Sequence, residues 1–234
     1  MFVVKSKKQI IAFALVGFLG ISAGVIIRFS GAVKTFSPAK KARVILIDAG
    51  HGMPDGGAVG YSGNAEEKIN LAIAKKTAEV LGGKGYVTLM TREDNNSLAA
   101  GENKTIRKIK VEDMRLRAEM MKKSGADLFL SIHMNSYPNE SVNGLRFFYS
   151  ANHPEIKTLA EDIQKSIGGV TGAKTHAVKT ADRDLFLMKK PPIPAILAEC
   201  GFISNPDEEK KLMNEEYQAK IAWAIGDAVE NYYK

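Results

Sequence analysis

The chain has a single cysteine among 234 residues, Cys200, which excludes an intramolecular disulfide framework. Its stability must come from packing, and the length suffices for one sizeable core with a short appendage. Acidic residues are absent from the first 43 positions, which carry eight basic ones: Lys5, Lys7, Lys8, Arg28, Lys34, Lys40, Lys41 and Arg43. Setting those apart from the 33 basic and 26 acidic residues of the chain leaves 25 against 26. The net charge of +7 therefore belongs to the leader. A near-neutral body lacks the basic surface that a nucleic-acid partner demands. No internal repeat is apparent, and no H-E-x-x-H word ties two metal ligands together locally.

One long hydrophobic run is present. Ile10–Ile27 holds 18 residues without a charge, behind Lys5, Lys7 and Lys8 and ahead of Arg28. As a helix it would be about 27 Å long, close to the thickness of a bilayer core. The basic flank keeps residues 1–9 in the cytoplasm and sends the body outward. An uncleaved anchor over 10–27 is favoured over a cleaved signal peptide, because Arg28 crowds the small residues Ser30-Gly31-Ala32. Residues 28–43 then read as a tether, and 44–234 as one folded domain.

In the body, Val44–Ile47 is a short β-branched run that stops at Asp48-Ala49-Gly50-His51-Gly52, a buried strand ending in a turn. A glycine-rich loop follows. Ala65–Leu81 reads as a helix with Glu66 and Glu67 in its first turn. Further strands are expected at Tyr86–Met90, Leu128–Ile132, Leu145–Tyr149, Leu185–Met188 and Ala195–Ala198. Helices are expected at Asp113–Ser124, within His153–Gly168, after Asn205-Pro206, and at Glu216–Tyr232. The stretch 94–112 shows no clear period and reads as a disordered insertion or a functional flap. This alternation predicts an α/β fold, a three-layer sandwich around a mostly parallel twisted sheet of about six strands.

Three buried strands end at polar residues: Asp48 and His51, His133, and Glu199. In open α/β sheets ligands bind beyond the carboxyl ends of the strands, and Glu66 at the next helix start would emerge on the same edge. Two imidazoles and a carboxylate are a usual catalytic zinc set with one position left for water. A remaining carboxylate, Glu199, suits a general base. Each residue also has an ordinary use: His51 capping a strand, Glu66 facing a helix dipole, His133 bonded to backbone. Glu199 is harder to explain away, because a carboxylate ending a buried strand is costly unless it is paired. Asp48 is expected to orient the ring of His51, and Asn135 to hold a ligand or the substrate backbone.

The words IDAGHGMPDGGAVG, EEKINLAIA, DLFLSIHMNS, PAILAECGFISNPDE and LMNEEYQAKIAWAI occur in this order. Together they resemble the zinc-dependent N-acetylmuramoyl-L-alanine amidases of the amidase-3 family, over roughly 44–230. The resemblance implies one Zn2+ held by His51, Glu66 and His133, with Glu199 as catalytic carboxylate. Glu66 is preferred to Glu67 because the family's glutamate lies four residues before the asparagine that is Asn70 here. It implies peptidoglycan as substrate, with cleavage between muramic acid and the first alanine of the stem peptide. An anchor plus one catalytic domain, without wall-binding repeats, is similar to the spore-cortex, germination-specific branch. That branch removes stem peptides so that muramic δ-lactam can form, and the enzyme would work outside the cytoplasmic membrane.

Two departures stand out: Ala49 replaces the family's usual proline, and His176-Ala177 replaces a common Arg-Gly. A flexible loop between His51 and Glu66 leaves room for an accessory protein that modulates the zinc site. Other readings are a non-catalytic, membrane-tethered wall-binding module, or a zinc peptidase or deacetylase acting on the same polymer.

Overall fold

The computed structural model of the protein describes residues 42–102, 104–181 and 185–234. The expected membrane span at 10–27 and most of the tether at 28–43 lie outside them. No helix among the described residues is long and apolar enough to cross a membrane.

In chain order the elements are β1 (Val44–Ala49), α1 (Glu66–Gly83), β2 (Val87–Met90), α2 (Ile106–Lys123), β3 (Leu128–Asn135) and β4 (Arg146–Tyr149). They continue with α3 (Lys157–Thr171), β5 (Lys179–Thr180), β6 (Ala195–Phe202), α4 (Pro206–Leu212) and α5 (Glu215–Tyr233). The six strands form one sheet of order β2-β1-β3-β6-β4-β5. All neighbours pair in parallel except β4 with β6. The expected mostly parallel α/β sandwich is what the chain forms.

Strand alternation sorts the side chains into two layers. Ile45, Ile47, Leu130, Ile132, Ile196 and Ala198 pack against α1, α3 and α5 in the larger cluster. Leu46, Phe129 and Leu197 pack against Met121 of α2 and Met188 in the smaller one. Cys200 joins the larger cluster, on the face opposite Glu199, as alternation requires. By the same rule Asp48, Ser131, His133 and Glu199 share the α2 face of the sheet. The carboxyl ends of β1, β3 and β6 thus bring three distant segments to one edge.

Leu185–Met188 is not a strand: Phe186–Met188 forms a 3-10 turn, and the edge strand is Lys179–Thr180. An apolar run of four looks like a buried strand, but here only Met188 is buried while Phe186 is 57% exposed. The stretch 94–112 is not a structureless insertion either. The helix expected from Asp113 begins at Ile106, with the Thr105 hydroxyl accepting from the Lys108 N–H at 3.4 Å. Its buried column is Ile109, Asp113, Arg117 and Met121. In the turns ahead of Asp113 only Ile109 is buried, while Ile106 and Val111 are exposed, so no hydrophobic period marks them as helix.

Candidate metal centre

β1 runs out at Ala49, and His51 takes a left-handed conformation, φ 60°. That backbone is costly for a residue with a Cβ. It is held by Arg117, whose Nη2 donates to the His51 carbonyl at 2.6 Å, and by the Gly52–Asp55 bridge. Gly50 must lack a side chain, because a Cβ there would lie 2.2 Å from the His133 ring. Gly57 (φ 72°) is under the same constraint, since a Cβ would lie 2.5 Å from Glu66 Oε2 and 2.7 Å from the His51 ring.

Glu66, the first residue of α1, reaches between the two imidazoles. Its Oε1 lies 3.0 Å from His133 Nδ1 and its Oε2 3.2 Å from His51 Nε2. Three fixed N–H groups brace the carboxylate: Met134 N (3.0 Å) and Asn70 Nδ2 (3.0 Å) on Oε1, and Ala58 N (2.9 Å) on Oε2. The histidine rings stand edge to face with centroids 5.0 Å apart. One ligand atom from each of His51, Glu66 and His133 lies within 4.8 Å of the others. The loop between His51 and Glu66 is not loose: Glu209 of α4 accepts from Ser62 N at 2.8 Å and Asn64 Nδ2 at 2.9 Å. Glu67 turns away from the cluster, buried 3.8 Å from Arg92.

Asp48 does not orient His51, contrary to expectation. It faces the α2 layer, accepting from Thr91 (2.7 Å) and Ser131 (2.6 Å) and pairing with Arg117. The group on His51 Nδ1 is Asp55, at 3.1 Å, four residues on in the loop that turns back over the ring. Asn135 does not brace a ligand: its Oδ1 accepts from Ser136 N at 2.8 Å, beyond a bulge in β3, and Asn70 has the bracing role. His153 and His176 lie beside the carbonyls of Pro191 and Asn143. Asp55, Asn70 and Arg117 were missed, although Asp55 lies in the same glycine-rich word as His51.

Glu199 stands directly across from His133 in the β3–β6 register. Its Oε2 is buried without a hydrogen-bond partner. Burial pushes its carboxyl up to about 7; the positive field of His133 and His51 opposes this and Glu66 reinforces it. His51 moves the other way. Burial alone would lower it, but hydrogen bonds and charge from Asp55 and Glu66 carry it up to about 9. Glu66 is held well below the usual carboxylate range despite its burial, by hydrogen bonds from His133 and then His51.

A cavity of about 320 Å3 opens beside the histidines, walled by Ile109 and Met114 of α2, by Leu185–Met188 and by Leu197. The donor set fits a metal. Two imidazoles and a braced carboxylate converge, glycines clear the space around them, and an unpartnered carboxyl waits alongside.

The Amidase_3 family, described as N-acetylmuramoyl-L-alanine amidase, matches residues 45–231. The chain belongs to this family. It is an enzyme of the N-acetylmuramoyl-L-alanine amidase class, acting on peptidoglycan. The germination-specific N-acetylmuramoyl-L-alanine amidase of Bacillus subtilis is 33% identical over 200 residues, covering 86% of this chain and 84% of its own. The Clostridioides difficile CwlD amidase, solved in complex with the GerS lipoprotein, superposes with a TM-score of 0.78 at 39% identity. That match covers 82% of this chain and 98% of the other. The catalytic domain of CwlV from Bacillus (Paenibacillus) polymyxa gives 0.70 at 29% identity, over 82% and 98% of the two chains. The amidase fold thus carries its polar cluster at the strand ends, as Amidase_3 membership leads one to expect.

Proposed function

We propose that the protein is a zinc amidase that cuts the bond between N-acetylmuramic acid and L-alanine in peptidoglycan, with His51, Glu66 and His133 holding the metal. The observation that carries this reading is the convergence of those three groups beside the unpartnered Glu199. Bound zinc would supply Lewis acidity toward the amide carbonyl and make water a stronger acid. Glu199, across the sheet from His133, takes the proton from the attacking water. It returns that proton to the alanine nitrogen as the C–N bond breaks, leaving a lactyl carboxylate on the sugar and a free amine on the peptide. Asp55 keeps the His51 ring turned toward Glu66, and the N–H donors on Glu66 prevent its rotation.

Mass spectrometry of digested peptidoglycan tests the reaction. Release of peptides with alanine N-termini, suppressed by a chelator and restored by zinc, is the expected result. Peptides cut internally or deacetylated sugars point to another hydrolase, and intact polymer to a binding module.

A pH prediction follows from His51. With its conjugate acid near 9, the metal-free imidazole is protonated at pH 7, so metal binding must expel that proton. Apparent affinity should rise roughly tenfold per pH unit and level off above about 9. Calorimetry in buffers of different ionisation enthalpy should read about one proton released per metal; no release contradicts the His51 assignment.

The likeness to a germination-specific amidase supports a role in spore cortex maturation, where exposed lactyl carboxyls close to muramic δ-lactam. In that role residues 10–27 anchor the protein, 28–43 tether it, and 44–234 work outside the cytoplasmic membrane. The complex formed by the CwlD relative supports an accessory lipoprotein as partner.

A further inference from the structure

Beyond the chemistry at His51 and His133, the α2 face carries a structure that the reaction itself does not use. Two cavities lie end to end along α2, each of about 320 Å3, and Phe186 and Leu187 wall both. On the helix side Lys110 and Met114 line the first cavity, and Ala118 and Lys122 the second. These four are spaced four residues apart, one column on successive turns. From Lys110 to Lys122 the column is about 18 Å long. An extended peptide covers that distance in about five residues.

The two ends differ in chemistry. Near the histidines the walls offer Ile109, Met114 and Leu187, and the one lysine there, Lys110, is paired with Asp55 at 2.9 Å. The far cavity is ringed by Lys122, Lys189 and Lys190, all exposed, and none forms an ion pair among the described residues. Phe186, at the junction, is 57% exposed and offers its ring to both cavities.

We infer that this trough between α2 and residues 185–192 is the stem-peptide subsite, and that its three-lysine end reads the peptide's carboxylates. The inference rests on the amidase reading and deepens it. A glycan strand continues in both directions and must lie across an open surface. A stem peptide that is not cross-linked is a branch with a free end, so it can enter a walled trough. Its alkyl parts match the apolar segment beside the scissile bond, and its carboxylates match the ammonium groups beyond Phe186.

The test uses the zinc-loaded protein on three synthetic substrates: a muramoyl dipeptide, a muramoyl tetrapeptide with free carboxylates, and the same tetrapeptide with its carboxylates amidated. The variant Lys122→Glu/Lys189→Glu/Lys190→Glu changes only exposed side chains. It should raise KM for the free tetrapeptide about tenfold or more. Its kcat, metal content, melting temperature and activity on the other two substrates should stay as in wild type. The triple Lys→Gln variant should move KM in the same direction by less. An unchanged KM, or an equal rise on the dipeptide or the amidated substrate, overturns the subsite. If the wild type cleaves none of the three, the amidase reading fails instead. Calorimetric binding of the free tetrapeptide, lost in the triple variant, then decides the subsite separately.

Discussion

Replacing Glu199 by alanine should leave zinc binding intact and cut turnover by about 10^2- to 10^4-fold, the usual worth of a positioned general base. The groups that brace Glu66 and the histidines do not include Glu199, so the metal site should survive its loss. Metal titration and steady-state kinetics on one preparation check both halves. Equal loss of metal would make Glu199 a ligand. A stability signature accompanies the change. The Glu199 carboxyl rises from an ordinary 4.5 to about 7 in the fold. The folded state therefore holds a proton that the unfolded state has lost between those values, and metal-free stability falls as pH climbs through that window. Glu199→Gln removes this cost, so metal-free protein at pH 8 should gain stability on the order of 2 kcal/mol. A substitution that stabilises the fold while abolishing turnover marks a residue kept for chemistry.

The second large effect is expected at Arg117, which is fully buried between two carboxylates. It pairs with Asp48, donates to Asp113 at 2.6 Å, and donates to the carbonyls of Ala49 and His51 at 2.9 and 2.6 Å. Arg117→Met would leave Asp48 and Asp113 buried with their shared cation gone, a loss of about 3–5 kcal/mol. For a domain of this size that is a fall in melting temperature of roughly 10–15 °C. Metal affinity should fall as well, because the strained His51 backbone loses its clamp. Arg117→Lys keeps the charge but not the fork, and should lie between the two. A methionine variant as stable as the wild type would show that the network is not what holds the turn.

The fold and most of the centre were legible because their signals are local. β1, β3 and β6 announce themselves as short apolar runs, β-branched in β1, and each ends in a polar residue where a parallel sheet places its ligands. Cys200 and Glu199 could be sent to opposite faces by alternation alone. What stayed hidden depends on contacts across the chain. Asp48 and Asp55 are both near His51 in sequence, but only the backbone turn at φ 60° decides which one meets the ring. The first turns of α2, 106–112, stayed hidden because Ile109 is their only buried residue while Ile106 and Val111 face solvent, so their apolar residues mark no single face. The buried charges further along, Asp113 and Arg117, are satisfied by residues 16 and 69 positions away, Ser97 and Asp48. The 3-10 turn at Phe186–Met188 has a strand's composition but lies across the second layer, with one face left open.

Anomalous diffraction at the zinc edge, from crystals of the metal-loaded protein, bears most directly on the centre. One strong peak is expected, ligated by His51, Glu66 and His133, with Glu199 close by but outside the coordination shell. A peak at another group of residues, or one in which Glu199 replaces Glu66, would contradict that assignment.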